Sequence, residues 1–334
     1  MTYQRHALLL GINEYRDPEI SPLAGAKADA LAMYVFLLTE LRFDRAQLVE
    51  PEHAGQFLDL VEKSANELGP QDLLVVYYAG HGFEVNHKHF LLTPSDRISR
   101  LKADLGTMHK EALVHAMRGN GCHRMLITDS CRSALQGSRG GPLPRGHNAV
   151  DRDLGIKEAK EAQGSLTLFN ACDEGKTAAE VKQLNSGLFT RALLQVWGQA
   201  RAGGGIVTVD SAVQQQVAAR MRETAAQFGV DGDQYPWLMS SGWAPPLGEG
   251  AAQGVRPPPV PMAAAPMPPP APAPAPAPAQ PQRPNRLAPQ WRWPDVHPKD
   301  GPARVLVVAI LILVFLNWLF HGHHPIWMPW HHRM

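Results

Sequence analysis

Two short segments of the 334-residue chain carry residue types that suit covalent chemistry. The first is Tyr77-Tyr78-Ala79-Gly80-His81-Gly82. The second, with its cysteine fifty residues after His81, is Asp129-Ser130-Cys131-Arg132-Ser133. A cysteine becomes a good nucleophile when a nearby imidazole generates or stabilises its thiolate. Glycine on both sides of His81 lets the backbone turn sharply and bares the Gly82 N–H. That N–H and the Cys131 N–H could form an oxyanion hole for a tetrahedral intermediate. A single cysteine is more often a small buried hydrophobe, and a single histidine a satisfied core residue. Position sets this pair apart: each follows a strand signal, and sites in open α/β sheets lie at the carboxyl ends of strands.

The elements that must position the pair are read from periodicity. Ala7–Ile12 is a short apolar run that suits a buried strand. Gly25–Leu38 has apolar residues at three- and four-residue spacing, and His53–Leu68 has Phe57, Leu60, Val61 and Leu68 on one side, so both read as helices. Asp72–Ala79 is apolar on both alternations and belongs in the middle of a covered parallel sheet. Glu111–Met117 reads as a helix, His123–Thr128 and Ser165–Asn170 as strands, and Leu188–Gln199 and Ser211–Phe228 as helices. This alternation predicts an α/β fold, a three-layer α/β/α arrangement with a mostly parallel sheet, over residues 1–244. Residues 136–163, directly after Cys131, break the rhythm with glycine, proline and mixed charge. A structureless stretch of that length inside a domain is functional or mobile.

Beyond this unit the composition changes. Of 30 prolines, 20 lie between Pro245 and Pro302, so residues 245–302 read as a disordered Pro/Ala-rich linker with polyproline II character. Val305–Phe320 is apolar except for Asn317. At ~1.5 Å per residue it reaches roughly 24 Å, a little short of a ~30 Å hydrocarbon core. A single C-terminal transmembrane helix is expected over 303–321, with a buried or interfacial helix as the alternative. Arg292, Lys299 and Arg304 precede the apolar run Val305–Phe320 and a short His/Trp-rich tail, 322–334, follows the helix, so positive-inside bias places the large domain in the cytoplasm, with a bacterial inner membrane as the setting. The tail histidines are expected to be solvated rather than metal-bound. A balance of 32 basic against 31 acidic residues excludes a basic nucleic-acid footprint. Three cysteines without CxxC or zinc spacing indicate a reduced compartment, and no signal peptide is visible.

YYAGHG followed by DSCRS resembles the caspase-like cysteine peptidases, and DSC in particular is similar to the metacaspase branch. HALLLGIN and LAGAKADA resemble that family's first strand and helix. SLTLFNACDEGKTAAE and SGLFTRALL resemble the strand and helix after its cleavable loop. The resemblance spans roughly residues 5 to 244. It implies the caspase–hemoglobinase fold with His81 and Cys131 as a catalytic dyad. Caspases carry Gln two residues before the nucleophile, within a pocket for an acidic side chain. Asp129 stands there in this chain. A carboxylate on the pocket floor favours Arg or Lys before the scissile bond and repels an acidic residue. Alternatively, Asp129 caps the strand end. Further pocket carboxylates are expected from Glu14, Asp17 or Asp173. Many metacaspases bind calcium through several Asp, including an adjacent pair. The comparable stretch here is Lys102-Ala103-Asp104-Leu105, and Asp96 alone is a poor site for an ion that takes ~6–8 oxygens. No metal, no cofactor and no strict calcium requirement are expected. Ala79 replaces a Ser of some members, so one pocket hydrogen bond is expected to be missing.

The sequence thus points to a membrane-anchored cysteine endopeptidase acting on protein or peptide substrates after Arg or Lys. Arg139, Arg145 and Arg152, in the 136–163 stretch, match that specificity and are candidate self-cleavage points. In the linker, Arg256, Arg283 and Arg286 are also basic, but Pro257 and Pro284 follow two of them directly. The rival readings are a catalytically weak caspase-like scaffold and an acid-specific caspase-type protease. The oligomeric state is left open.

Overall fold

The computed structural model describes residues 3–85, 88–102, 108–133, 149–230 and 234–248. These lie in a compact unit, Met1–Pro259. The linker beyond residue 248, the 303–321 span, the 322–334 tail, Asp104, Arg139 and Arg145 lie outside the described residues. Among the described residues, no helix is long and apolar enough to cross a membrane.

Six strands form one sheet: β1 (Arg5–Gly11), β2 (Arg45–Leu48), β3 (Leu73–Ala79), β6 (His123–Asp129), β7 (Leu166–Asn170) and β10 (Trp237–Ser240). The order is β10-β7-β6-β3-β1-β2, parallel throughout except for β10 against β7. Every residue of β3 is buried, as its unbroken apolar run requires of a strand covered on both faces. Its even-numbered side chains, Leu74, Val76 and Tyr78, join Leu8, Leu10, Leu126 and Leu168 in a core with α2 (Ala54–Asn66), α4 (Lys110–Ala116) and α5 (Ala149–Glu161). The odd-numbered side chains meet α1 (Ala26–Thr39) and α6 (Leu188–Ala202), with α7 (Ser211–Phe228) packed on α6. On that face Tyr77 Oη lies 2.7 Å from Thr190 Oγ1, and the Phe169 and Phe189 rings pack edge to face at 5.1 Å. The period of two along the strands therefore sends neighbouring side chains to opposite layers, and the three-layer α/β/α fold is present.

Several elements lacked a sequence signal. These are β2, the hairpin β4 (Gly82–Val85) and β5 (Lys88–Leu91), the short helix α3 (Ile98–Lys102), the ribbon β8 (Glu180–Val181) with β9 (Ser186–Gly187), and β10. The larger correction concerns 136–163. The expectation of a structureless stretch does not hold for 149–161, which form α5. Its buried positions are Asp151, Leu154, Gly155 and Glu158, a helical row in which only one side chain is large and apolar. Glu158 is held by Arg118 at 2.6 Å and by the buried Arg124 of β6, and Asp151 is ion-paired as well. Ion pairs replace the apolar stripe through which a helix is recognised.

Candidate active site

The register of β3 against β6 brings the two motifs together. Ala79 pairs with Asp129, so His81 and Cys131 each stand two residues past a paired position at the same sheet edge. Both line a cleft of about 250 Å³, together with Asp29, Ala79, Asp129, Ala178 and Glu180. Of the three cysteines, Cys122 and Cys172 are buried and only Cys131 is partly exposed.

His81 is fixed on three sides. Its backbone N–H donates to Tyr15 Oη at 2.8 Å, the Tyr15 ring lies 5.2 Å from the imidazole, and Tyr78 Oη donates to the His81 carbonyl at 2.7 Å. His81 Nε2 lies 2.8 Å from the Ser21 carbonyl oxygen. A carbonyl only accepts, so Nε2 carries the proton, and the neutral ring keeps Nδ1 as its basic nitrogen. Cys131 Sγ is held by Ala178, whose N–H donates to the sulfur at 3.3 Å and whose carbonyl lies 3.7 Å away. Burial pushes the Cys131 thiol up; the Ala178 N–H opposes this, while the charges of Asp129 and Glu180 add to it. Burial and the two carboxylates thus favour the neutral thiol over the thiolate.

Glycine at 80 and 82 serves a different purpose from the one its conformational freedom suggests. Neither residue has positive φ. A side chain at Gly80 would strike the Tyr78 and Tyr15 hydroxyls, and one at Gly82 would strike the Cys131 carbonyl and His89. Room, not handedness, excludes larger residues. The His81 carbonyl accepts from Leu92 N–H, which makes Gly82–Leu91 a non-hydrogen-bonded pair of the hairpin. The Gly82 N–H thus heads away from β5, like that of Glu84, which donates to the Ser133 carbonyl.

The cleft beside His81 and Cys131 is acidic. Asp129 Oδ2 accepts from Thr190 N–H at 3.1 Å and Thr190 Oγ1 at 2.6 Å, at the first turn of α6 where an anion is favoured. Burial raises the Asp129 carboxyl to about 6 against these donors. Asp29, on the inner side of α1, accepts from Ser186 Oγ and Gly187 N–H, both at 2.6 Å. Burial, and then the charge of Asp129, hold the Asp29 carboxyl well above its usual range. Gly187 packs against both carboxylates, and a Cβ there would collide with Asp129. Glu180 accepts from the N–H groups of Gly25 at 2.9 Å and Ala24 at 3.2 Å, ahead of α1.

Asp29 and Glu180 were not among the carboxylates expected from the sequence. Asp29 did carry a signal: it stands in the helical row Ala26, Ala30, Met33, a carboxylate on an otherwise apolar stripe. Glu180 carried none. Of the expected carboxylates only Asp129 lines the cleft. Glu14 is exposed and outside it. Asp17 spends its oxygens on the N–H groups of Glu19 at 3.0 Å and Ile98 at 2.8 Å, tying its loop to α3. Asp173 sits in the turn after β7, where its carbonyl accepts from Lys176 N–H, and is also outside the cleft lining. Arg152 lies in the first turns of α5 with its guanidinium 5.4 Å from the Trp237 ring, so its peptide bond is helical rather than looped. Asp96 closes a local turn by accepting from Thr93 N–H and Oγ1 at 2.7 and 2.9 Å.

No curated protein matches the chain in sequence. Among solved structures, protein GSU0716 from Geobacter sulfurreducens is similar at 17% identity and a TM-score of 0.49, over 71% of this chain and 93% of that one. Caspase-1 from Spodoptera frugiperda is similar at 13% identity and a TM-score of 0.43, over 71% and 86%. The family model of the caspase domain matches residues 4–245, the whole of the sheet and its helices, and on that match the chain belongs to the caspase-domain family of cysteine peptidases.

Proposed function

We propose that this protein is a cysteine endopeptidase that cuts after Arg or Lys, using His81 and Cys131. The observation that carries this reading is the shared cleft, in which three carboxylates, Asp29, Asp129 and Glu180, lie beside a histidine and the one partly exposed cysteine. A basic side chain entering it exchanges water for carboxylates already held by backbone donors. Its charge also offsets Asp129 and Glu180, two groups that keep the Cys131 thiol protonated. His81 Nδ1 then takes the thiol proton as sulfur attacks the carbonyl carbon. The Gly82 and Cys131 N–H groups hold the oxyanion. His81 returns the proton to the leaving amine, and water hydrolyses the acyl-enzyme. The acidic pocket weighs against acid specificity, and retention of both dyad residues weighs against a mere scaffold. We further propose a C-terminal membrane anchor with the peptidase domain in the cytoplasm, no strict calcium requirement, and self-cleavage at Arg139 or Arg145.

The test uses the full chain in mild detergent, with Cys131→Ala as control. Arg, Lys and Asp reporter peptides are compared with and without calcium. Arg or Lys turnover that vanishes in the control is the expected result. Preference for Asp, or turnover that survives the Cys131 substitution, refutes the assignment.

A further inference from the structure

On the opposite face of the sheet from the acidic pocket lies a second group of buried charges that the chemistry above does not use. Arg132, the residue after Cys131, has a fully buried side chain. Its Nη2 lies 3.3 Å from Glu84 Oε1, and its Nη1 lies 3.0 Å from Asp151 Oδ2. Asp151 also accepts from Lys110 Nζ at 3.0 Å and Asn170 Nδ2 at 3.1 Å. Lys110 Nζ reaches Asn170 Oδ1 at 2.9 Å, and Thr128 Oγ1 donates to the same oxygen at 2.8 Å. Glu84, Lys110, Arg132 and Asp151 are all buried side chains. Such a cluster is a poor device for stability, because apolar residues of similar size usually serve as well or better. Its geometry supplies something else. Glu84 is two residues past Gly82, so Arg132 joins the nucleophile segment to the strand that starts at the oxyanion glycine. The same join is reinforced by Glu84 N–H on the Ser133 carbonyl at 2.9 Å and His89 Nε2 on the Cys131 carbonyl at 3.2 Å.

Glu84 and Asp151, which both pair with Arg132, come from opposite sides of it in the chain. Glu84 precedes Cys131 in sequence. Asp151 lies in the first turn of α5, beyond residues 134–148. We propose that Arg132 and Asp151 are positioning residues, a buried clamp that holds the Cys131 segment against the Gly82 strand and ties it to α5 across residues 134–148. A chain cut between Arg132 and Asp151 then keeps its nucleophile in place through the clamp and the pairing of β6 with β7. The proposal rests on the reading of Cys131 as nucleophile, but not on its substrate preference.

Asp151→Asn leaves two buried cations facing one fewer anion and is expected to impair folding, so the discriminating variant is Lys110→Met with Asp151→Leu in the full chain. That variant removes one charge of each sign and cuts the tie between Arg132 and α5. Three readouts are taken per titrated Cys131: kcat and KM on an Arg reporter, the rate of Cys131 alkylation by iodoacetamide, and co-purification of the two halves after a site for an unrelated protease, inserted near residue 141, is cut. The expected result is a kcat at least tenfold lower, a KM within twofold because the pocket lies on the other face, a changed alkylation rate, and halves that separate more readily than those of the parent cut at the same inserted site. An unchanged kcat and alkylation rate, or a loss confined to KM, overturns the clamp. If the parent shows no turnover at all, the peptidase reading fails, while alkylation and fragment association still decide the clamp.

Discussion

Asp29→Asn is expected to lower kcat/KM on an Arg reporter by roughly 10- to 100-fold while the chain stays folded. The substitution removes a charge and keeps most of the local bonding. Asp29 accepts from Ser186 Oγ and Gly187 N–H at 2.6 Å each. An Asn carbonyl can keep the Gly187 bond, and its amide can donate to the serine oxygen, so the structural loss is about 1 kcal/mol. The loss in substrate binding is larger. A guanidinium about 5 Å from a carboxylate gains about 3 kcal/mol at an effective dielectric of about 20. Part of that gain goes to expelling the proton that burial and Asp129 hold on the Asp29 carboxyl, at about 1.4 kcal/mol for each pKa unit above the working pH. What remains is smaller than that full gain, and it falls on KM. Asp29 stands in the pocket and holds neither His81 nor Cys131, so kcat on a reporter with a neutral residue before the cut is unaffected. The assay is steady-state hydrolysis of Arg and neutral reporters by wild type and variant, with thermal melting as the check on folding. A folded Asp29→Asn variant that cleaves the Arg reporter within about twofold of wild type refutes the electrostatic account of the pocket.

Other outcomes follow from the same geometry. Asp129 titrates near 6, so KM for Arg reporters rises as pH falls through 6, and Thr190→Val, which removes its 2.6 Å donor, moves that rise to higher pH; KM profiles from pH 5 to about 8 check both. Gly82→Ala forces a side chain onto the Cys131 carbonyl and is expected to cost about 100-fold in kcat through the oxyanion donors, read by single-turnover acylation. Burial raises Glu84 to about 7 and lowers Lys110 to about 8. The folded chain therefore holds the Glu84 proton more tightly than the unfolded chain, and this stabilisation fades as pH rises to 7; folded Lys110 sheds its proton early, and stability recovers above 8. Glu84→Gln should flatten the acid-side fall when melting temperatures are compared from about pH 5 to 7. N-terminal sequencing of any self-processed protein is expected to find cuts at Arg139 or Arg145 and none at Arg152, whose peptide bond lies in α5.

The main strands and most of the long helices were legible because their side chains follow periods set by local geometry. The run Leu73–Ala79 had to be a central strand, and Gly80-His81-Gly82 and Ser130-Cys131 had to follow strand ends. His81, Cys131 and Asp129 were legible as candidates for the same reason: all three lie within two residues of a strand terminus. Elements built on other interactions were hidden. α5 buries Asp151 and Glu158 against Lys110, Arg124 and Arg132, so it shows no apolar stripe. β2 and β10 are short edge strands whose partners lie far away in sequence. The acidic pocket divides in the same way. Asp129 belongs to a motif, whereas Asp29 and Glu180 come from an early helix and a late two-residue strand that meet only because α1 and α6 cover one face of the sheet. Glu14 and Asp17 were expected in the pocket because their loop follows β1, yet that loop turns toward α3 and uses Asp17 to bind its own backbone. Local composition thus determined which residues could do chemistry. Which carboxylates face the thiol, and which charges hold it from behind, was decided by the register of β3 on β6 and by the packing of helices on opposite faces, contacts between residues up to 150 and more positions apart that no local pattern encodes.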